Sequence, residues 1–190
     1  MTDVLAVLDL GLETFGARVH RIRSEDWDAP TPCADWTVAD LVAHLVDEQL
    51  WVPPLLNGHA LDVAGQVVDA AKRSFADDRV EQWDAAALAS ARAFHEPGAI
   101  ERTAQLSAGP TPVADYAGEV VFDLAVHSWD LGIALGITEP LPDELVRTAL
   151  ALAERAGDLS ASGVFDPPQP VPDGASDEQR LVALTGRRPR

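Results

Sequence analysis

Two of the five histidines, His44 and His127, have a carboxylate four residues away within an amphipathic run. Asp40 precedes His44 and Glu48 follows it, while Asp123 precedes His127 and Asp130 comes three positions after it. Side chains three and four apart on a helix share a face one turn apart, so such a pair can converge on one small ion without distorting the backbone. With 31 acidic residues in 190 the spacing recurs by chance, and the surroundings must decide. Asp123 lies inside Val120-Val121-Phe122-Asp123-Leu124-Ala125-Val126-His127, an otherwise apolar run. A charge buried there is costly unless it is paired or coordinates a metal. Two readings stay open at this point: a hydrogen-bonded Asp–His pair that serves structure, or two ligands of a metal. Asp40 competes as a helix cap, which leaves Glu48 as the acidic neighbour of His44. If His44 approaches the Asp123/His127 pair, two imidazoles and one carboxylate form a set with open coordination positions, suited to Zn²⁺, Ni²⁺, Fe²⁺ or Mn²⁺. Glu48 or Asp130 would then fix a histidine tautomer from behind.

Other candidates carry less. Cys33 sits in a proline loop just before a helix, either simply buried or close enough to the positive helix end to favour a thiolate. The five tryptophans read as core and loop anchors. His59, between Gly58 and Ala60, reads as solvated. Neither a Gly-X-Gly phosphate loop nor a nucleophile elbow is present.

The elements that must position these residues follow from apolar periodicity. Leu5, Leu8, Leu12, Phe15, Val19 and Ile22 form one stripe, predicting a helix over 3–23. Residues 24–36 read as a loop, and Thr37 with Asp40 opens a second helix through an approximate capping box. That helix is expected to stop near Trp51, because Pro53 and Pro54 cannot continue it. Ala-rich helices are predicted over 62–76 and 79–95, then an irregular or briefly extended stretch over 99–114. A long helix over 115–135 ends at Gly136, another over 142–157 has proline first and glycine last. Residues 160–176, rich in Pro, Gly and Asp, read as a meandering cover, and 177–184 as a last short helix closing at Gly186. Helix follows helix with hardly any strand signal, predicting an all-α bundle and one domain over 1–190.

The charge balance excludes some partners. With 14 basic and 31 acidic residues the net charge is −17, which disfavours nucleic acid and anionic membrane surfaces. The one basic cluster is Arg187, Arg188 and Arg190. Cys33 is the single cysteine, so no internal disulfide forms and nothing requires an oxidising compartment. No apolar run reaches the length of a membrane span, the first residues do not read as a signal peptide, and the expectation is a cytoplasmic protein.

The run PTPCADWTVADLVAHL at 30–45 resembles the signature of the mycothiol-dependent maleylpyruvate isomerase N-terminal domain family, within the DinB-like metal-binding four-helix bundles. DLAVHSWDL at 123–131 resembles its second signature, where an acid and a histidine four apart complete a metal site. The stretch from FDPP at 165–168 to LVALTGRRP at 181–189 is similar to the ending of a short, uncharacterised branch. The resemblance implies a DinB-like four-helix bundle with additional short helices and an irregular C-terminal segment. It also implies His44, Asp123 and His127 as ligands of a divalent metal, zinc or nickel foremost. In the isomerase the carboxylate is Glu; here Asp is one methylene shorter. A low-molecular-weight thiol such as mycothiol would be the co-substrate, held as thiolate for transfer to an electrophile. Because the isomerase has a further C-terminal domain for its thiol, isomerisation itself is not expected to carry over. The competing readings are a metal-dependent hydrolase, a non-catalytic bundle acting through a protein partner, and a homodimer whose Asp123–His127 pair is structural.

Overall fold

The computed structural model describes residues 3–33, 35–75 and 77–190. Helix α1 (Val4–Val19) starts on Asp3, whose carboxylate accepts the Leu5 N–H, and buries Val7, Leu8, Leu12, Phe15 and Val19. Helix α2 (Val38–Leu56) starts on a reciprocal capping box: the Thr37 hydroxyl accepts the Asp40 N–H and the Asp40 carboxylate accepts the Thr37 N–H. Asp40 is therefore committed to the cap, on the exposed side of the turn that leads to His44.

The expected stop near Trp51 is overturned, because α2 runs through Pro53 and Pro54 to Leu56. A proline inside a helix costs roughly 3 kcal/mol. Against that, Val52, Leu55 and Leu56 are buried in the core, each contributing about 1.5–3 kcal/mol. The Asn57 N–H bonds the Pro53 carbonyl at 3.0 Å, so the last turn closes in spite of the missing donors.

Helices α3 (Leu61–Ser74) and α4 (Arg79–Phe94) follow, the second capped by the Asp78 carboxylate on the Val80 and Glu81 N–H groups. The stretch over 99–114 resolves into a hairpin of β1 (Thr103–Leu106) and β2 (Gly109–Pro112), antiparallel, with Thr103 opposite Pro112 and Leu106 opposite Gly109. Helix α5 (Val113–Ala134) is the spine: every residue from Leu124 to Gly132 is buried. It ends on a Schellman motif, with Gly136 at φ +67° and the Ile137 N–H returning 2.8 Å to the Gly132 carbonyl. Helix α6 (Asp143–Ala156) and α7 (Asp177–Leu184) complete the chain's regular structure, joined by a short 3₁₀ turn at Leu159–Ser162 and an irregular strand-free segment.

The fold is the expected all-α bundle, with the hairpin and an isolated Pro30–Thr37 bridge as minor additions. Helix α2 packs on α4 and α1 on α5, while α1–α4 and α2–α5 contacts close the ring of four. Helix α6 leans on α5 and α7 on α6, with α3 against α2. Because α2 and α5 face each other, the polar positions on each can meet across the bundle.

Candidate metal centre

Three side chains from these two helices converge. His44 on α2 places Nε2 3.3 Å from Oδ2 of Asp123, and one turn along α5 His127 places Nε2 3.3 Å from Oδ1 of the same carboxylate. The ligating atoms of all three lie within 4.8 Å of one another. Charge-assisted hydrogen bonds between nitrogen and carboxylate run near ~2.8 Å, so these separations are long for hydrogen bonding. Each imidazole faces a different oxygen of the carboxylate, at a separation close to that between two ligand atoms, about 3.3 Å, of an ion held at about 2.0–2.1 Å. Oδ2 of Asp123 is buried and has no hydrogen-bond partner among the described residues. The donor set therefore fits a divalent cation, and the Asp side chain is long enough to reach both imidazoles.

His127 is held from behind. Its Nδ1 donates to Asp130 Oδ2 at 3.0 Å, which leaves Nε2 facing Asp123. Asp130, fully buried, is itself forked by Arg187: Nε to Oδ1 at 3.2 Å and Nη2 to Oδ2 at 2.8 Å. Arg187 also donates Nη1 to the Thr185 carbonyl at 2.9 Å and lies 5.8 Å from the Phe165 ring centre. Trp36 covers the imidazoles, stacked on His127 at 5.7 Å and 22°, and tilted against His44 at 4.8 Å. The turn that delivers Trp36 puts Asp35 at φ +65°, the one non-glycine residue at positive φ among those described.

Charge follows this geometry. Burial alone would lower the basicity of His127, but Asp123 and then Asp130 outweigh it and raise its pKa to about 9. Burial would push the Asp123 carboxyl up; His127 and His44 overcome that and hold it well below the usual carboxylate range. The Cys33 thiol is pushed up, first by burial and then by Asp130 and Asp123, against the pull of Arg187. Of the two readings of Cys33, this favours the buried one over the thiolate, with burial the largest cause. Cys33 is half-buried and free, and its sulfur lies within 4.8 Å of ligating atoms of His127 and Asp130.

The triad opens onto a cavity of about 400 Å³ whose walls include Cys33, Trp36, Phe165, Asp166 and Arg187. The segment after the 3₁₀ turn, read from sequence as a cover, supplies Phe165 and Asp166 to this wall. Glu48 behaves differently from Asp130. Among the described residues no hydrogen bond joins it to His44; it lines a second cavity beside His44 and Asp123. Burial, with Asp123 adding to it, raises the Glu48 pKa. His59 is half-buried rather than solvated, and its Nδ1 has no hydrogen-bond partner among the described residues.

Two site residues escaped the sequence reading. By sequence Arg187 belongs with Arg188 and Arg190 to a basic cluster, yet it is 8% exposed; the available signal is Gly186, a turn residue placed directly before it. Trp36 read as a loop anchor, and only its position inside the first signature hinted at the imidazoles.

These features define a class: a helical bundle with a two-histidine, one-carboxylate donor set in a cleft between two helices. The family model described as mycothiol maleylpyruvate isomerase N-terminal domain matches residues 8–132, and the chain belongs to that family. The chain is 29% identical over 195 residues to uncharacterized proteins from two strains of Mycobacterium tuberculosis, covering 99% of this chain and 100% of each relative. Its fold is shared with the crystal structure of the mycothiol-dependent maleylpyruvate isomerase, at TM-score 0.61 and 14% identity over 86% of this chain and 75% of that one. A histidine-to-alanine mutant of that isomerase gives TM-score 0.60 and 13% identity, over 80% and 72% of the two chains. Among the described residues no helix is long and apolar enough to cross a membrane.

Proposed function

We propose that this chain binds a divalent cation, zinc or nickel, through His44, Asp123 and His127 and activates a low-molecular-weight thiol for transfer to an electrophile. The solved relative that shares this fold is mycothiol-dependent, which makes mycothiol the leading thiol. The observation that carries the reading is the convergence of two imidazole nitrogens on one carboxylate at 3.3 Å, with a buried carboxylate oxygen left without a hydrogen bond. Bound there, a divalent cation would stabilise the anionic form of a thiol and make it nucleophilic at neutral pH without a separate base. The residues do the rest. Asp130 accepts the Nδ1 proton of His127 and so fixes which nitrogen faces the cavity. Arg187 neutralises Asp130 and holds it in the plane of its own guanidinium. Trp36 and Phe165 supply apolar walls against which an electrophile can lie.

The test is to purify the protein, measure bound metal, and follow conjugation of thiols to electrophiles with and without a chelator. Loss of activity on chelation and in His127→Ala is expected. Activity indifferent to both would sink the reading, and stoichiometric metal with no turnover across thiols and electrophiles would place the chain among non-catalytic binding bundles.

A further inference from the structure

The second cavity, about 260 Å³, shares His44, Asp123 and Phe165 with the first, so the two meet at the triad. Its own lining carries three acceptor side chains, Glu48, Gln49 and Glu119, beside Tyr116 and His44. Glu48 is half-buried, Glu119 stands exposed at its edge, and neither forms an ion pair with a Lys or Arg among the described residues. Gln49, 1% exposed, lines the same cavity, and its Oε1 has no hydrogen-bond partner among the described residues. A buried amide oxygen without a donor is costly. Glu48, half-buried and without a Lys or Arg partner among the described residues, adds a second acceptor beside it, and Glu119 adds a carboxylate at the rim. Phe122 and Phe165, edge to face at 5.9 Å, give the cavity an apolar shoulder.

We propose that this cavity is a subsite for an alkylammonium group, seated by Glu48, Glu119 and the Gln49 amide oxygen with its methylenes against Phe122. An ammonium offers three donors and no acceptor, which matches the two carboxylates and the Gln49 amide oxygen, with the Tyr116 phenol as a further neighbour in the same wall. Its positive charge answers the two unpaired carboxylates, and its apolar stem answers the phenyl rings. That the ammonium belongs to the same molecule that reacts at the triad rests on the thiol reading above; occupancy of the subsite does not.

The experiment uses n-butylammonium as the probe against the full chain, with n-butanol and butyrate as matched neutral and anionic controls. Binding is followed by calorimetry and by amide chemical shifts in ¹⁵N–¹H spectra of the unmodified protein. Butylammonium is expected to bind, to shift amides around Glu48 and Glu119, and to weaken about tenfold in Glu48→Gln and in Glu119→Gln. Butanol binding as tightly as butylammonium would overturn the proposal. So would affinity indifferent to both glutamine variants, the sign of general attraction to a chain of net charge −17, or amide shifts confined to other faces. Should a variant fail to fold, the shift map on the unmodified protein still decides. If butylammonium binds here while no thiol is conjugated, the thiol reading fails and the subsite stands; conjugation without ammonium binding gives the reverse.

Discussion

Arg187 reaches across from the turn after α7 and forks both oxygens of Asp130, whose Oδ2 also accepts the Nδ1 proton of His127. The irregular end of the chain thus holds one candidate ligand in place through a fully buried carboxylate. Replacing Arg187 by Ala strips Asp130 of its counter-charge where solvent cannot replace it. Breaking one side of a buried pair costs about 3–5 kcal/mol, and loss of a partner behind a ligand costs about 10–100-fold in metal affinity. Urea denaturation should show the stability loss in Arg187→Ala, and Zn²⁺ titration the affinity loss. Arg187→Lys, which keeps the charge but not the fork, should recover part of the stability and little of the affinity. An Arg187→Ala variant as stable as the parent would show that the pair positions nothing.

The pKa of His127 near 9 predicts the pH dependence of the metal-free protein. The folded value lies above the unfolded value of about 6.5. His127 therefore contributes stability that is complete below that unfolded value and lost as pH rises through the folded one, on the order of 3 kcal/mol in total. The His127 ring protons should titrate near pH 9 by NMR, and the denaturation midpoint should fall over the same interval. Zn²⁺ must displace the Nε2 proton, so loading at pH 7 should release a proton and grow tighter with rising pH. A His127 that titrates at its ordinary value would remove the pairing with Asp123 and Asp130 from this account.

Much of this was legible in the sequence, and the exceptions have physical causes. The stripe of α1, the Gly136 end of α5 and the Thr37–Asp40 cap are local patterns, and they appear in the structure where the sequence places them. The α2 terminus was not legible, because proline speaks for the backbone while burial of Val52, Leu55 and Leu56 is a tertiary effect. The Asp123/His127 spacing and the apolar run around it pointed to the pair, since both lie on one helix. Arg187 could not be found in this way. Its partner Asp130 is 57 positions away, and no periodic pattern connects a helix to a turn that follows two other helices.

Gly186 is the hinge on which Arg187 depends. It has φ +81°, and a Cβ there would lie 2.5 Å from the Asp166 Cβ and 2.8 Å from the Asp166 carbonyl oxygen. A side chain is therefore penalised twice, by backbone conformation and by collision with backbone atoms that cannot swing away. Gly186→Ala should destabilise by about 1–3 kcal/mol and should also loosen the Phe165–Asp166 wall of the first cavity. Gly136→Ala serves as the control, since its φ is also positive but nothing lies within 4 Å of its Cβ. Chemical denaturation of the two variants should give the larger loss at Gly186; equal losses would mean that the contact with Asp166 yields freely.

The triad itself predicts a ligand-linked stability. A cation that binds only the folded chain raises the free energy of unfolding by RT ln(1 + [L]/Kd), about 2.7 kcal/mol at a hundredfold excess over Kd. Thermal melts with saturating Zn²⁺ should therefore rise by several degrees in the parent protein. The increment should vanish in His44→Ala and Asp123→Asn, because each removes one of three donors. The two variants should part company without metal. Asp123→Asn removes the larger of the two charges that raise His127 and leaves Asp130, so its own melt should drop and its pH dependence should move below 9. His44→Ala leaves the Asp123–His127 contact at 3.3 Å in place and should keep that dependence. A Zn²⁺ increment that survives in Asp123→Asn would move the ion elsewhere, with the donors around Cys33, His127 and Asp130 as the next set to vary.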